Sequence, residues 1–253
     1  MATRILARAA VAAAVVAVLW WALVGSEFQP ARLVEGFARA ARYLREMYPP
    51  DLSVLPKAWP ALIVTLQMAI VGTFLGFTLA APVSFLAART SALPLWFSTA
   101  VKTGLNVLRA IPAFVYAVLF VYMVGLGPFP GALGIAVGSF VMLAKLFAEA
   151  LESVHPAPCE AVKAVGGSPM QVFVYAMLPQ ALPQFLSHTL YAWEIGISTA
   201  TILGIVGAGG IGFELIAQIN YFAWHKVATY VLVIIALVLA ADQFSYQIRR
   251  RLI

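Results

Sequence analysis

Gly125-Leu126-Gly127-Pro128-Phe129-Pro130-Gly131 sits in the middle of a stretch, residues 110–144, that holds no Asp, Glu, Lys or Arg. Glycine and proline at that density stop one helix and turn the chain, so the stretch cannot be a single helix. It reads as two antiparallel helices, over 103–124 and 131–152. Each is close to the roughly 20 residues needed to cross a hydrocarbon core about 30 Å thick. Two apolar helices joined by a tight turn belong to a membrane bundle.

Further uncharged runs occupy 9–26, 58–88, 164–193 and 195–213, with a shorter one at 227–241. With 63% hydrophobic and 10% charged residues and a mean hydropathy of +0.94, the composition excludes a soluble enzyme. The expected fold class is all-α and polytopic, one transmembrane domain over 1–253. Six spans are expected at 7–25, 60–88, 103–124, 131–152, 184–206 and 226–247. A cleaved signal peptide is the rival reading of 7–25. Against it, the apolar stretch exceeds a usual signal core, and Ala22-Leu23-Val24 is a poor cleavage site. Trp20 and Trp21 suit an interfacial aromatic belt.

Between the spans, residues 26–57 interleave Arg32, Arg39, Arg42 and Arg45 with Phe37, Tyr43 and Leu44, then reach Met47-Tyr48-Pro49-Pro50-Asp51. This is the pattern of an amphipathic helix at the extracytoplasmic interface, followed by a turn. Gly72 and Gly76, and likewise Gly134 and Gly138, give two spans a small-residue face for close packing. Residues 153–182 carry Pro156, Pro158, Gly166, Gly167, Pro169 and Pro179, which rules out an uninterrupted lipid-exposed helix and leaves a cytoplasmic loop of short helices. Glycines at 207–212 read as a turn.

Six spans place both termini on one side. Arg4, Arg8, Arg89, Lys163, Arg249, Arg250 and Arg251 fall there, with Lys102, Arg109 and Lys145 near the same face, so the positive-inside bias makes it the cytoplasm. A multi-pass protein of the bacterial cytoplasmic (inner) membrane follows, with lipid as a partner. The net charge of +6 is then membrane anchoring and calls for no nucleic acid. Cys159 is the single cysteine, and no Cys/His set has metal-ligand spacing, so no metal is expected. An intramembrane enzyme would need H-E-x-x-H or a Ser/His pair at helical depth. None is present, and no catalytic residue is expected.

The loop 153–182 contains Glu160-Ala161-Val162-Lys163-Ala164-Val165-Gly166, continues through Gln171 and Phe173, and ends at Leu178-Pro179. It resembles the EAA loop of ABC importer permeases at Glu160, Ala161, Gly166, Leu178 and Pro179, with Val162 in place of an Ala and Ala176 in place of an Ile. Several other segments are similar to the permeases of phosphonate-type ABC importers. They are Met47–Asp51, Arg109-Ala110-Ile111-Pro112, Val124–Phe129, Lys145–Glu152, Tyr191-Ala192-Trp193-Glu194 and Leu203–Gly212. The segment over 145–152 is the more selective sign, since R-x-I-P and the glycine-rich segment also occur in methionine-type permeases.

The resemblance implies the type I importer fold, with a cytoplasmic coupling helix between spans 4 and 5. It implies alternating access for phosphonate, phosphite or phosphate brought by an extracytoplasmic solute-binding protein. No G-x-x-x-x-G-K-[ST] occurs, so ATP and magnesium are expected on two separate ATP-binding subunits and no cofactor on this chain. One coupling loop per chain and two ATPases imply a homodimer. A methionine- or amino-acid-type permease is the alternative within the class, and an ATP-independent channel the alternative outside it.

Glu160, Ala161, Gly166, Leu178 and Pro179 are therefore the candidates for coupling to the ATPase. Pathway candidates are Glu194, Ser198, Thr201 and Arg109. A carboxylate near mid-span costs several kcal/mol unless it faces protein or water, so Glu194 should point inward, to solute or to a cation such as Lys145, Arg109 or Lys102. Arg109 reads as a snorkelling anchor or an exit contact. Ser198, Thr199 and Thr201 could line a conduit or bond back to their own helix. Lys145, Glu149 and Glu152, at spacings of four and three, suggest an ion-pair ladder. Gly207, Gly209, Gly210 and Gly212 are gate candidates. Related permeases carry Asn and Arg where this chain has Gly196 and Ser198, which removes a cation that an anionic solute could use.

Overall fold

The uncharged runs fold as helices, and no strand occurs among the described residues. The structure is a computed structural model that describes residues 2–89 and 94–252. Arg4, used above for topology, has its side chain outside the described set. The chain divides into two units, Met1–Tyr48 and Pro49–Ile253.

The first unit holds α1 (Ala2–Gly25) and α2 (Pro30–Glu46). The chain turns after Gly25 through Glu27, which has φ 50°. Pro30 opens α2 in the first turn, where its missing N–H would have no partner in any case. The axes of Val11–Gly25 and α2 differ by 48°.

The second unit begins with a 3-10 turn, Leu52–Val54, leading into α3 (Leu55–Ala87). Then follow α4 (Leu95–Arg109), α5 (Ala113–Val124) and α6 (Pro128–Glu152). Two short helices, α7 (Pro156–Ala164) and α8 (Pro169–Val172), lead to α9 (Leu178–Leu203). The chain ends with α10 (Gly210–Asn220) and α11 (Trp224–Leu252). Among the described residues, four helical stretches are long and apolar enough to cross a membrane: Leu52–Ala87, Pro128–Glu152, Pro169–Val206 and Trp224–Arg251. The number rises to six if α1–α2 and α4–α5 each count as one bent span.

α6 is the central helix, packed by α3, α5 and α9. Small residues let it sit close to its neighbours, where packing rather than hydrophobic exclusion drives association in lipid. A Cβ on Gly72 of α3 would meet the Ile135 side chain at 2.7 Å, and one on Gly76 would meet Ser139 Cβ at 2.6 Å. Gly134 faces Ala117 of α5 in the same way, its Cβ position 2.6 Å from Ala117 Cβ. Toward the end bearing α7, Phe147 of α6 stacks on Phe185 of α9 at 4.0 Å between centroids, with Phe77 edge-on. At the opposite end, Thr229 Oγ1 donates to Asp51 O at 2.8 Å and Asp51 N donates to His225 O at 3.1 Å, which ties the entry to α3 onto α11. The Asp51 carboxylate accepts from Ser53 N at 2.9 Å, and hydrogen bonds from Ser53 hold it below the usual carboxylate range.

Three expectations are corrected. The single span over 103–124 is two helices, α4 and α5, bent by 76° at Ala110–Pro112. Pro112 lacks an N–H and pushes Ile111 out of helical geometry. The break is closed by Tyr116 Oη, which donates to Leu108 O at 2.9 Å. The loop expected to run to 182 ends earlier: α8, a π-helical turn over Phe173–Met177 and α9 follow one another without interruption. Pro179 lies in the first turn of α9, where proline is tolerated. The turn expected over 207–212 is already helical at Gly210, so that α10 intervenes before α11.

Candidate functional site

The loop between α6 and α9 is built by local capping. His155 Nδ1 accepts from Ala157 N at 3.3 Å and Pro156 opens α7, so the helix starts cleanly. His155 N donates to Gln180 Oε1 at 3.0 Å, and Gln180 Nε2 donates to Ala176 O at 2.8 Å, which joins the start of the loop to the start of α9. α7 ends in a Schellman arrangement: Gly166 N donates to Lys163 O at 2.9 Å and Gly167 N to Val162 O at 3.0 Å. Gly166 takes φ 84° with open space around it, so backbone conformation alone calls for glycine there. Ser168 and Gln171 form a reciprocal capping box that starts α8.

Of the coupling candidates, Glu160, Ala161, Gly166 and Pro179 are exposed and Leu178 is half-buried. Around them Val165, Met170 and Tyr175 are bare apolar side chains, Val165 at 85%. Behind α7 lies a cleft of about 460 Å³ with an apolar floor, including Phe85 and Met177, and a polar rim of Glu160 and Lys163.

Beneath this loop, Glu152 Oε1 at the end of α6 accepts from Lys102 Nζ at 2.7 Å and from Arg89 N at 2.8 Å. The ladder expected along α6 does not form at this residue: Glu152 turns sideways and clamps α4 and the end of α3. Lys145 and Glu149 instead line a small cleft of about 160 Å³ with Lys102 and Asn106.

Glu194 does point inward, but to none of the three expected cations. Its Oε1 accepts from Arg249 Nη2 of α11 at 2.8 Å, with side-chain exposures of 16% and 26%. Among the described residues, the buried Trp193 Nε1, Thr73 Oγ1 and Ser245 Oγ have no hydrogen-bond partner. Gly196 backs onto Thr73, and Trp193 packs edge-on against Phe244 of α11. α9 and α11 thus meet through the Glu194–Arg249 ion pair, and the three unpaired atoms lie on α3 (Thr73), α9 (Trp193) and α11 (Ser245).

The other pathway candidates are not gathered with it. Ser198 is exposed, Thr201 Oγ1 donates back to Ile197 O at 3.1 Å, and Arg109 is exposed at the end of α4. The glycines at the end of α9 do two different things. Gly207 ends the helix, with Ala208 N donating to Leu203 O at 3.1 Å, while Gly209 (φ 80°) and Gly210 (φ 71°) reverse the chain. Gly212 is a contact residue, since a Cβ there would run into Thr201 O. Thr65 Oγ1 of α3 accepts from Ile211 N at 2.9 Å and so caps α10 from another helix. Arg249 and Thr65 escaped the sequence reading. Arg249 stood among tail charges, and Thr65 lies 146 residues from the group it caps.

Residues 80–253 match the family described as binding-protein-dependent transport system inner membrane component. The chain is 42% identical over 219 residues to the phosphite transport system permease protein PtxC of Stutzerimonas stutzeri, covering 86% of this chain and 79% of that one. It is 38% identical over 209 residues to the phosphate-import permease protein PhnE of Mycolicibacterium smegmatis, covering 82% of this chain and 39% of that one. In fold it is similar to a chain of the inward-facing MetNI methionine ABC transporter, with a TM-score of 0.71 at 23% identity over 80% of this chain and 99% of that one. A bacterial alginate ABC transporter gives a TM-score of 0.62 at 14% identity, over 94% and 95% of the two chains. The described helices, the exposed loop between α6 and α9 and these likenesses agree: the chain belongs to the inner membrane components of binding-protein-dependent transport systems and is a non-catalytic permease subunit of an ABC importer.

Proposed function

We propose that two copies of this chain form the translocation pathway for a phosphorus oxyanion (phosphonate, phosphite or phosphate). A solute-binding protein delivers the solute outside, and two ATP-binding subunits, which hold ATP and magnesium, drive transport from the cytoplasm. The observation that carries the reading is the 42% identity to a phosphite transport permease over 79% of its length. The loop geometry supports the coupling: α7 presents Glu160 and Ala161 to the outside of the bundle. From α8 the helix runs through the π turn into α9, which bears Glu194, so a displacement of the loop is carried into the bundle. One loop per chain and a need for two ATPases support the homodimer. Arg249, Arg250 and Arg251 at the end of α11 support a cytoplasmic C-terminus.

The test is reconstitution of the chain with its ATPase and binding protein in liposomes, measuring uptake of phosphite, phosphate, methylphosphonate and methionine. Saturable uptake of a phosphorus oxyanion that requires ATP and is lost in Glu160→Ala is expected. Flux without ATP would make the chain a channel, and preferred uptake of methionine would overturn the solute. Gating by Gly209 and Gly210 predicts that replacing both by Val abolishes uptake while the assembled complex is still recovered. Unchanged uptake would end the gate assignment.

A further inference from the structure

α2 buries none of its side chains. Leu33, Val34, Phe37 and Leu44 are exposed at 58%, 72%, 75% and 66%. At about 100° per residue, Leu33, Phe37, Ala40 and Leu44 fall in one stripe about 60° wide, with Val34 and Ala41 beside it. On the opposite face, Glu35 stands one turn before Arg39 and Arg42 one turn before Glu46, so that face carries balanced charge. The helix's two excess positive charges fall to Arg32 and Arg45. Each lies roughly 110° from the centre of the apolar stripe, one on either side.

The bilayer is within reach of that stripe. α2 starts four residues after the end of α1, whose run over 9–25 is uncharged. Spanning helices tilt by about 20° on average, within a range of about 0–40°. A tilt in the same sense as the 48° bend between α1 and α2 brings α2 toward the membrane plane. Insertion is excluded by its six charged residues. Immersion in water would leave Phe37 and Leu44 uncovered.

We propose that α2 lies in the headgroup layer and binds anionic phospholipid, with Leu33, Phe37, Ala40 and Leu44 toward the acyl chains and Arg32 and Arg45 snorkelling to lipid phosphates. Arg39 and Arg42 face water. The distinction is testable because removing either arginine pair changes net charge equally.

The full chain, carrying Cys159→Ser and Phe37→Cys, is labelled at position 37 with an environment-sensitive dye and placed in nanodiscs. Quenching is measured with nitroxide-labelled phosphatidylglycerol or phosphatidylcholine at equal mole fraction. Phosphatidylglycerol should quench about twofold or more strongly than phosphatidylcholine. The preference should vanish in R32Q/R45Q and persist in R39Q/R42Q. A dye quenched by aqueous iodide and by neither lipid would place the stripe against water, a second copy or another protein, and overturn the proposal. Equal quenching by the two lipids, or equal loss in the two double variants, would overturn the assignment to anionic lipid at Arg32 and Arg45.

Discussion

Glu152 and Glu194 are both held by one cationic side chain, at 2.7 Å and 2.8 Å, with similar partial burial. Their surroundings differ. Glu152 also accepts the Arg89 N–H, so one carboxylate joins the end of α3, α4 and α6 in a fixed corner beneath the loop. Among the described residues, Glu194 accepts from Arg249 alone, and Trp193, Thr73 and Ser245 leave buried polar atoms unpaired. An unpaired buried polar group carries a standing cost of about 1–3 kcal/mol. The Glu152 contact ties three elements together through one carboxylate, whereas the Glu194 contact joins two helices beside polar atoms that have no partner.

The largest effect is expected from breaking the Glu194 contact on one side only. Glu194→Ala leaves Arg249 without a counter-ion and should lower the stability of the purified complex by up to about 3 kcal/mol, below the fully buried range because both groups are partly exposed. The Glu194→Ala/Arg249→Ala double should recover much of that loss in thermal unfolding while uptake stays impaired. Additive losses would show that the two side chains do not act together. Next comes the corner: Glu152→Gln keeps an acceptor for the Arg89 amide but loses the charge, and should cost about 1–2 kcal/mol. ATP-driven uptake per folded complex should stay near wild type. A selective loss of uptake would move Glu152 from scaffold to coupling. Lys102→Met removes the other half and should cost less, about 0.5–1 kcal/mol, in the same melting assay.

The smallest effect belongs to a third carboxylate, Asp51, which is held by Ser53 and is only partly buried. Its folded-state pKa is depressed. Its contribution is therefore present above the unfolded pKa and lost as pH falls through the folded value. Wild-type stability should decline more steeply than that of Asp51→Asn on acidification below about pH 4. Parallel pH profiles would show that the Asp51–Ser53 contact adds nothing to the 3-10 turn that leads into α3.

The same contrast separates what could be read from sequence. The inward orientation of Glu194 was legible, because the bilayer penalises a lone carboxylate wherever it stands. Its partner was not: pairing with Arg249 depends on the register between α9 and α11, which no local pattern encodes. The packing faces of Gly72, Gly76 and Gly134 were visible as spacing. The break between α4 and α5 was present as Ile111-Pro112, but the apolar run around it outweighed a single proline. α10 was hidden by the glycines before it, and its cap comes from Thr65 on a distant helix. The loop over 153–182 was the most readable region, since Pro156, Gly166, Ser168 and Gln171 act on their own neighbours. Its junction with α9 was the exception, because a π turn has no sequence signature.

The break at Ala110–Pro112 has one more consequence. α5 has 12 residues, about 18 Å of helix, against a hydrocarbon layer of about 30 Å. Irregular backbone at hydrocarbon depth persists only against protein or water, and Arg109, directly before the break, suits a headgroup-level position. α4 and α5 together, rather than α5 alone, are then the unit that meets the bilayer, with the break at its edge.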